Sequence, residues 1–133
     1  MTEKYKIETK CAAINELDLQ LMIERISDPN DELTYSSGWP RDLAEKIAEQ
    51  YKAFLWISKL HPDKILVPFR EVDEFWHQHI LHTRQYVQDC QNIFGRYLHH
   101  TPHKQRTEED SRFYEEHSKT TLEILMKEFP EID

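Results

Sequence analysis

The sequence predicts an all-α protein, a compact bundle of about four main helices in a single domain. Three observations predict it. Apolar residues recur at helical spacing through most of the chain, no run of β-branched and aromatic residues alternates between turn signals, and only two glycines occur. At 133 residues the chain is long enough for one hydrophobic core, so we expect one domain over residues 1–133.

The first two predicted helices lie in the N-terminal half of the chain. The first has one apolar stripe and ends at the turn residues 28–31. Its stripe consists of Leu19, Met22, Ile23 and Ile26. The second begins at Pro40, since proline suits the first turn of a helix, and is broken by His61-Pro62-Asp63. Its buried face consists of Leu43, Ile47, Tyr51, Phe54 and Leu55.

The other two predicted helices lie in the C-terminal half. The third is one continuous helix from about Pro68 to Phe94, with Gly95 as its C-terminal stop. The last runs from Thr107 to about Phe129 and starts with a capping box in which Asp110 takes the glutamate position. Its inward residues are predicted to be Phe113, Ile124, Leu125 and Phe129.

Charge and composition narrow the function classes. The net charge of −8 disfavours nonspecific nucleic-acid binding, and no apolar run approaches the roughly 20 residues of a membrane span. Two glycines are too few for a phosphate-binding or dinucleotide-binding turn, so no nucleotide cofactor is expected. The N-terminus lacks the apolar stretch of a signal peptide, and Cys11 and Cys90 make no disulfide framework. These features predict a cytoplasmic protein.

Six of the eight histidines lie in residues 71–103, beside Asp73, Tyr86 and Cys90. They are His77, His79, His82, His99, His100 and His103. On a regular helix His77 and His79 point about 200° apart, so they cannot share one ion unless the helix is distorted there. Two groupings remain open. Asp73 pairs with His77, or His79 pairs with His82, Tyr86 or Cys90, and the 99–103 segment completes either set.

Several enzyme signatures are absent from the sequence. It has no His-Glu-x-x-His, no Gly-x-Ser-x-Gly and no Pro-Cys-x-x-Cys, and Glu74-x-x-His77 lacks the second copy that a di-iron bundle requires. Whether the protein is an enzyme therefore stays open at this stage.

Residues 66–100 resemble the glycine-rich domain-containing protein-like family, a poorly characterised group of plants and bacteria. The shared pattern is Pro68, Val72-Asp73, Trp76-His77-x-His79, Tyr86, Asp89-Cys90, Phe94-Gly95 and Leu98-His99-His100-x-Pro102. The resemblance implies that His77, His79 and Cys90 belong to the family pattern, whereas His82 and His103 are particular to this chain. It implies no activity. Plant members join the domain to a glycine-rich tail and sometimes an RNA-binding module, neither of which this chain carries.

The leading hypothesis is a transition-metal site, with zinc or iron as the expected cofactor. The candidate ligands are His77, His79, Cys90, His99 and His100, with Asp73 orienting His77. Weaker candidates are His82, Tyr86 and His103. His79 is the residue on which the helical wheel and the family pattern agree, so its substitution by alanine is expected to lower metal content.

A second hypothesis is a non-catalytic protein-protein interaction module, in which the His/Asp/Tyr pattern is a structural polar network. The partner would then be a protein, with no membrane partner and no nucleic acid. A third is pH sensing through the same histidines.

Overall fold

The structure is a computed structural model that describes residues 6–30, 38–101 and 107–131. These residues form six α-helices and no strand, which confirms the all-α prediction. The helices are α1 (Ala12–Asn15), α2 (Gln20–Ser27), α3 (Arg41–Leu60), α4 (Arg70–Leu81), α5 (Thr83–Phe94) and α6 (Glu108–Glu128). No helix in the described part of the chain is both long enough and apolar enough to cross a bilayer.

The helices share one hydrophobic core, and α3 runs through its centre. Helix α3 packs against α1, α2, α4 and α6, and its residues Tyr51, Ala53 and Ile57 are fully buried. Helix α4 packs against α2, α3 and α5. Because α4 has neighbours on three sides, even Gln78 is only 2% exposed, although the helical wheel places it on the solvated half.

The prediction of one continuous third helix is wrong, because the helix is interrupted at His82. In a continuous helix the Gln78 carbonyl would accept the backbone N–H of His82. Instead that N–H donates to the His79 carbonyl at 3.1 Å, and the His82 ring Nδ1 bonds the Gln78 carbonyl at 2.8 Å. The side chain thus replaces the lost backbone partner. The His82 backbone leaves the helical region with φ −85° and ψ 69°.

The break has consequences for two wheel assignments on the second segment. On a helical wheel continued from α4, Val87 falls on the apolar half, yet it is 53% exposed, because α5 no longer continues the phase of α4. His82 lies at the junction, half-buried and bonded to a backbone carbonyl. It does not stack beside His79 as one turn of a continuous helix would require.

The predicted helix ends agree with the structure better than the predicted buried faces do. Gly95 ends α5 in the left-handed conformation, with φ 72°. Thr107 caps α6, and its Oγ1 accepts the backbone N–H of Asp110 at 3.0 Å. The short helix α1 was not predicted. Phe113 is 41% exposed instead of inward, because only the later turns of α6, around Thr121 and Leu125, are buried.

Candidate metal centre

Three predicted site residues meet at one point beside α4. Asp73 and His77 lie one turn apart on that helix, and His100 approaches from the segment that follows α5. The His100 Nε2 lies 2.6 Å from Asp73 Oδ1 and 3.1 Å from His77 Nε2, and His77 Nε2 lies 3.5 Å from Asp73 Oδ2. Within the described ranges, this is the group of His, Cys, Asp and Glu side chains whose ligand atoms could surround an ion.

The distance between the two imidazole nitrogens fits a shared cation. Two nitrogens bound to one ion at about 2.0–2.1 Å, with an angle of roughly 90–110°, lie about 2.9–3.4 Å apart. The observed 3.1 Å falls in this interval. The His100 Nε2 lies at hydrogen-bond distance, 2.6 Å, from Asp73 Oδ1, and His77 Nε2 lies 3.5 Å from Asp73 Oδ2. Both hydrogen bonding and a shared cation can therefore hold the three groups together.

A buried hydrogen-bond relay positions His100 against α4. The Tyr86 hydroxyl accepts the Trp76 Nε1–H at 2.9 Å and donates to the Leu98 carbonyl at 2.5 Å. Leu98 lies two residues before His100, and the His100 ring packs on Trp76 with centroids 4.2 Å apart. The side chain of His100 is consequently only 8% exposed, whereas that of His77 is 52% exposed. One face of the cluster is therefore held rigidly and the other is open to solvent.

Next to the cluster is a cleft of about 230 Å³. Asp73 and His100 form part of its wall, together with Lys64, Arg96 and His99. The 61–69 segment that supplies Lys64 is fastened to α6, because the Val67 N–H donates to Thr121 Oγ1 at 2.8 Å. A metal ion at the cluster would thus face a preformed cavity on the side of Asp73 and His100.

His79 takes part in a different network, in the core. Its Nδ1 lies 2.6 Å from the Tyr51 hydroxyl and its Nε2 lies 2.8 Å from Asp89 Oδ2. Because an ionised carboxylate can only accept, Nε2 carries the hydrogen and Tyr51 donates to Nδ1. Both ring nitrogens are then occupied by protein groups. His79 is 1% exposed and lies outside the Asp73–His77–His100 group.

Cys90 is also placed in the core, at 2% exposure. Burial raises the pKa of the Cys90 thiol above its ordinary value of 9.0, so the thiol stays protonated at neutral pH. Burial likewise raises the pKa of Tyr51 and of Tyr86 well above 10.0. These three groups therefore act as neutral members of the core.

His99 and His103 are the remaining ligand candidates. His99 lies on the cleft wall, with its ring packed on Tyr97 at 4.7 Å, and is not part of the three-residue group. His103 lies outside the described residues.

Sequence reasoning missed Lys64 and Arg96 of the cleft and the Tyr51 and Asp89 partners of His79. Asp89 was within reach, because it belongs to the family pattern; the cleft cations carried no sequence signal.

The raised pKa values predict a loss of stability in alkali. The unfolded chain releases the Cys90 proton near pH 9.0 and the tyrosine protons near pH 10.0, while the folded chain retains them. The unfolded state then binds fewer protons, so the free energy of unfolding falls as pH rises. This contribution is complete below about pH 9 and is lost as the pH rises through the folded-state pKa values.

Urea unfolding between about pH 8 and 11 measures this slope. Tyr51→Phe removes one of the raised groups and should flatten the decline above about pH 10. A decline as steep in Tyr51→Phe as in the parent above about pH 10 would contradict the assignment.

Comparison with known proteins agrees with the resemblance seen in the sequence. The chain is 37% identical over 62 residues to "Glycine-rich domain-containing protein 1" of Arabidopsis thaliana, which covers 44% of this chain and 7% of that protein. The match therefore spans a small part of the relative's length. No solved structure matches the chain. The family model described as UCP032817-like matches residues 20–122. This range includes the shared sequence pattern, the Asp73–His77–His100 group and the network of Tyr51, His79 and Asp89. The chain belongs to the UCP032817-like family.

Proposed function

We propose that the protein binds one divalent transition metal ion through Asp73, His77 and His100. The observation that supports this most directly is the convergence of two imidazole Nε2 atoms, 3.1 Å apart, on one carboxylate. Two histidines with one carboxylate is a ligand set used by zinc hydrolases and by non-haem iron(II) proteins. Zinc and iron(II) are therefore the preferred ions.

The proposed ligand set differs from the sequence-based one. It keeps His77 and His100, makes Asp73 a direct ligand, and assigns His79 and Cys90 to the core. Three protein ligands leave coordination positions free for water or a small molecule. Such an open site can polarise a bound group or activate water, which makes metal-assisted chemistry the activity to screen for.

The structural network of the alternative hypothesis is compatible with this proposal. The Tyr86 relay and the His79 network supply ties between α3, α4, α5 and the segment before His100. We assign them the task of holding the metal ligands in place. A cytoplasmic location is part of the proposal as well, supported by Cys11 and Cys90, which are both free thiols.

Metal content of the tag-free chain, purified without chelator and then loaded with zinc or iron(II), tests the proposal. We expect one ion per chain, and a loss of affinity of more than about 100-fold in His77→Ala and in His100→Ala. His99→Ala is the matched control, because it is adjacent in sequence and lies outside the ligand group. It should keep full stoichiometry.

The melting temperature supplies a second readout. An ion that binds only the folded chain stabilises it by about 2.7 kcal/mol at a hundredfold excess over its dissociation constant. The proposal is overturned if the folded chain takes up neither zinc nor iron(II) and neither ion changes its melting temperature. The cluster would then be held by hydrogen bonds alone. Equal loss of metal in the His99 variant would contradict the ligand assignment.

A further inference from the structure

The cleft beside the proposed metal centre has an unusual charge for this chain. The protein carries 25 acidic and 17 basic side chains, yet Asp73 is the carboxylate that lines the cleft, beside the cations Lys64 and Arg96. Other basic residues form ion pairs with carboxylates one turn away, as Arg41 does with Glu45. In the described part of the chain, no carboxylate pairs with Lys64 or Arg96. Two positive side chains thus line the cavity with the one carboxylate of Asp73, and neither forms an ion pair within the described residues.

The floor of the cleft is apolar. Phe54, Leu66 and Trp76 contribute to it, and all three are buried or half-buried. A ligand with a short hydrocarbon body and charged ends would match both the floor and the rim.

The size of the cleft suits a small molecule. A volume of about 230 Å³ is below the roughly 300–1,000 Å³ typical of drug-sized ligand sites. A small organic molecule is therefore the ligand that the cleft suits best.

We propose that the cleft binds a small organic acid with two carboxylates, one held by Lys64 and Arg96 and the other completing the metal coordination sphere. The inference rests on the proposed metal site. A divalent ion against Asp73 leaves one positive charge, and Lys64 and Arg96 add two more. The cleft would then carry three positive charges and favour an anion, and two carboxylates provide one for the metal and one for the Lys64 and Arg96 end. Charge-assisted hydrogen bonds to carboxylates are among the stronger polar contacts.

The test uses the full chain loaded with cobalt(II), whose visible absorption reports changes at the metal. Succinate is the probe, and butyrate is the comparator with the same number of carbons and one carboxylate. We expect saturable succinate binding, by absorption and by calorimetry, that is roughly tenfold or more tighter than butyrate binding. Cobalt content after gel filtration shows that succinate has not removed the metal.

Two variants locate the cationic end. Lys64→Gln and Arg96→Gln should each weaken succinate binding by roughly tenfold or more and leave cobalt content unchanged. Both side chains are exposed, so circular dichroism should show an intact fold. Arg84→Gln and Lys127→Gln remove the same charges on exposed positions of α5 and α6 and should bind succinate as the parent does.

The outcomes separate the two proposals. A chain that loads cobalt but gives no spectral or calorimetric response to succinate overturns the anion site and leaves the metal site standing. The same holds if the Lys64 and Arg96 variants bind succinate as tightly as their controls. A chain that does not load cobalt, zinc or iron(II) overturns both.

Discussion

His79→Ala is expected to lower the free energy of unfolding by about 3–5 kcal/mol, with or without metal. The side chain is 1% exposed and is bonded at both ring nitrogens, to Tyr51 at 2.6 Å and to Asp89 at 2.8 Å. Alanine leaves a cavity, removes the partner of a fully buried hydroxyl and leaves the carboxylate of Asp89 without its imidazole. Since whole domains unfold at about 5–15 kcal/mol, this is a large fraction of the total stability.

Urea unfolding in the presence of a chelator measures the effect. His77→Ala is the matched control, because its side chain is 52% exposed, and it should change stability by less than about 0.5 kcal/mol. Tyr51→Phe keeps the ring and removes the hydroxyl, so it should cost about 1–2 kcal/mol and stays measurable if the alanine variant does not fold. A His79 variant as stable as the His77 variant would contradict the buried network.

The same variant separates the two interpretations of His79. A ligand role predicts that folded His79→Ala loses its metal. The structure places His79 outside the Asp73–His77–His100 group, so we expect the folded variant, below its lowered melting temperature, to keep one ion per chain.

Tyr86→Phe is expected to destabilise the fold by about 1–3 kcal/mol and to weaken metal binding about tenfold. The hydroxyl both accepts from Trp76 Nε1 and donates to the Leu98 carbonyl, so its removal leaves two polar groups without a partner. The segment that carries His100 then loses one of its ties to α4, while the contacts of His100 with Asp73 and Trp76 remain. His100 stays available as a ligand but is held less firmly in position.

Chemical denaturation and a zinc titration measure the two effects in one preparation. Tyr97→Phe is the control, because the Tyr97 ring packs on Tyr86 at 5.2 Å while its hydroxyl makes no hydrogen bond with the described residues. It should change neither quantity beyond about 0.5 kcal/mol. Loss of stability in Tyr86→Phe with unchanged zinc affinity would contradict the role of Tyr86 in positioning His100.

Much of the local structure was predictable because it depends on local chemistry. Apolar spacing predicts the main helices, Gly95 predicts a left-handed helix end and Thr107 predicts a cap. The 200° separation of His77 and His79 also follows from helix geometry, and the structure accordingly exposes one and buries the other. The break at His82 was not predictable from periodicity, since it depends on the ring of His82 replacing a backbone donor.

By itself, then, the sequence determined the all-α class, the helix ends at Gly95 and Thr107, the family and the region in which the polar residues concentrate. Only the tertiary structure decided which of those residues meet. Tyr51 reaches His79 from another helix, 28 residues away, and His100 reaches Asp73 across 27 residues. The physical reason is that periodicity records which face of a helix is buried, whereas a site depends on the neighbour that packs against that face.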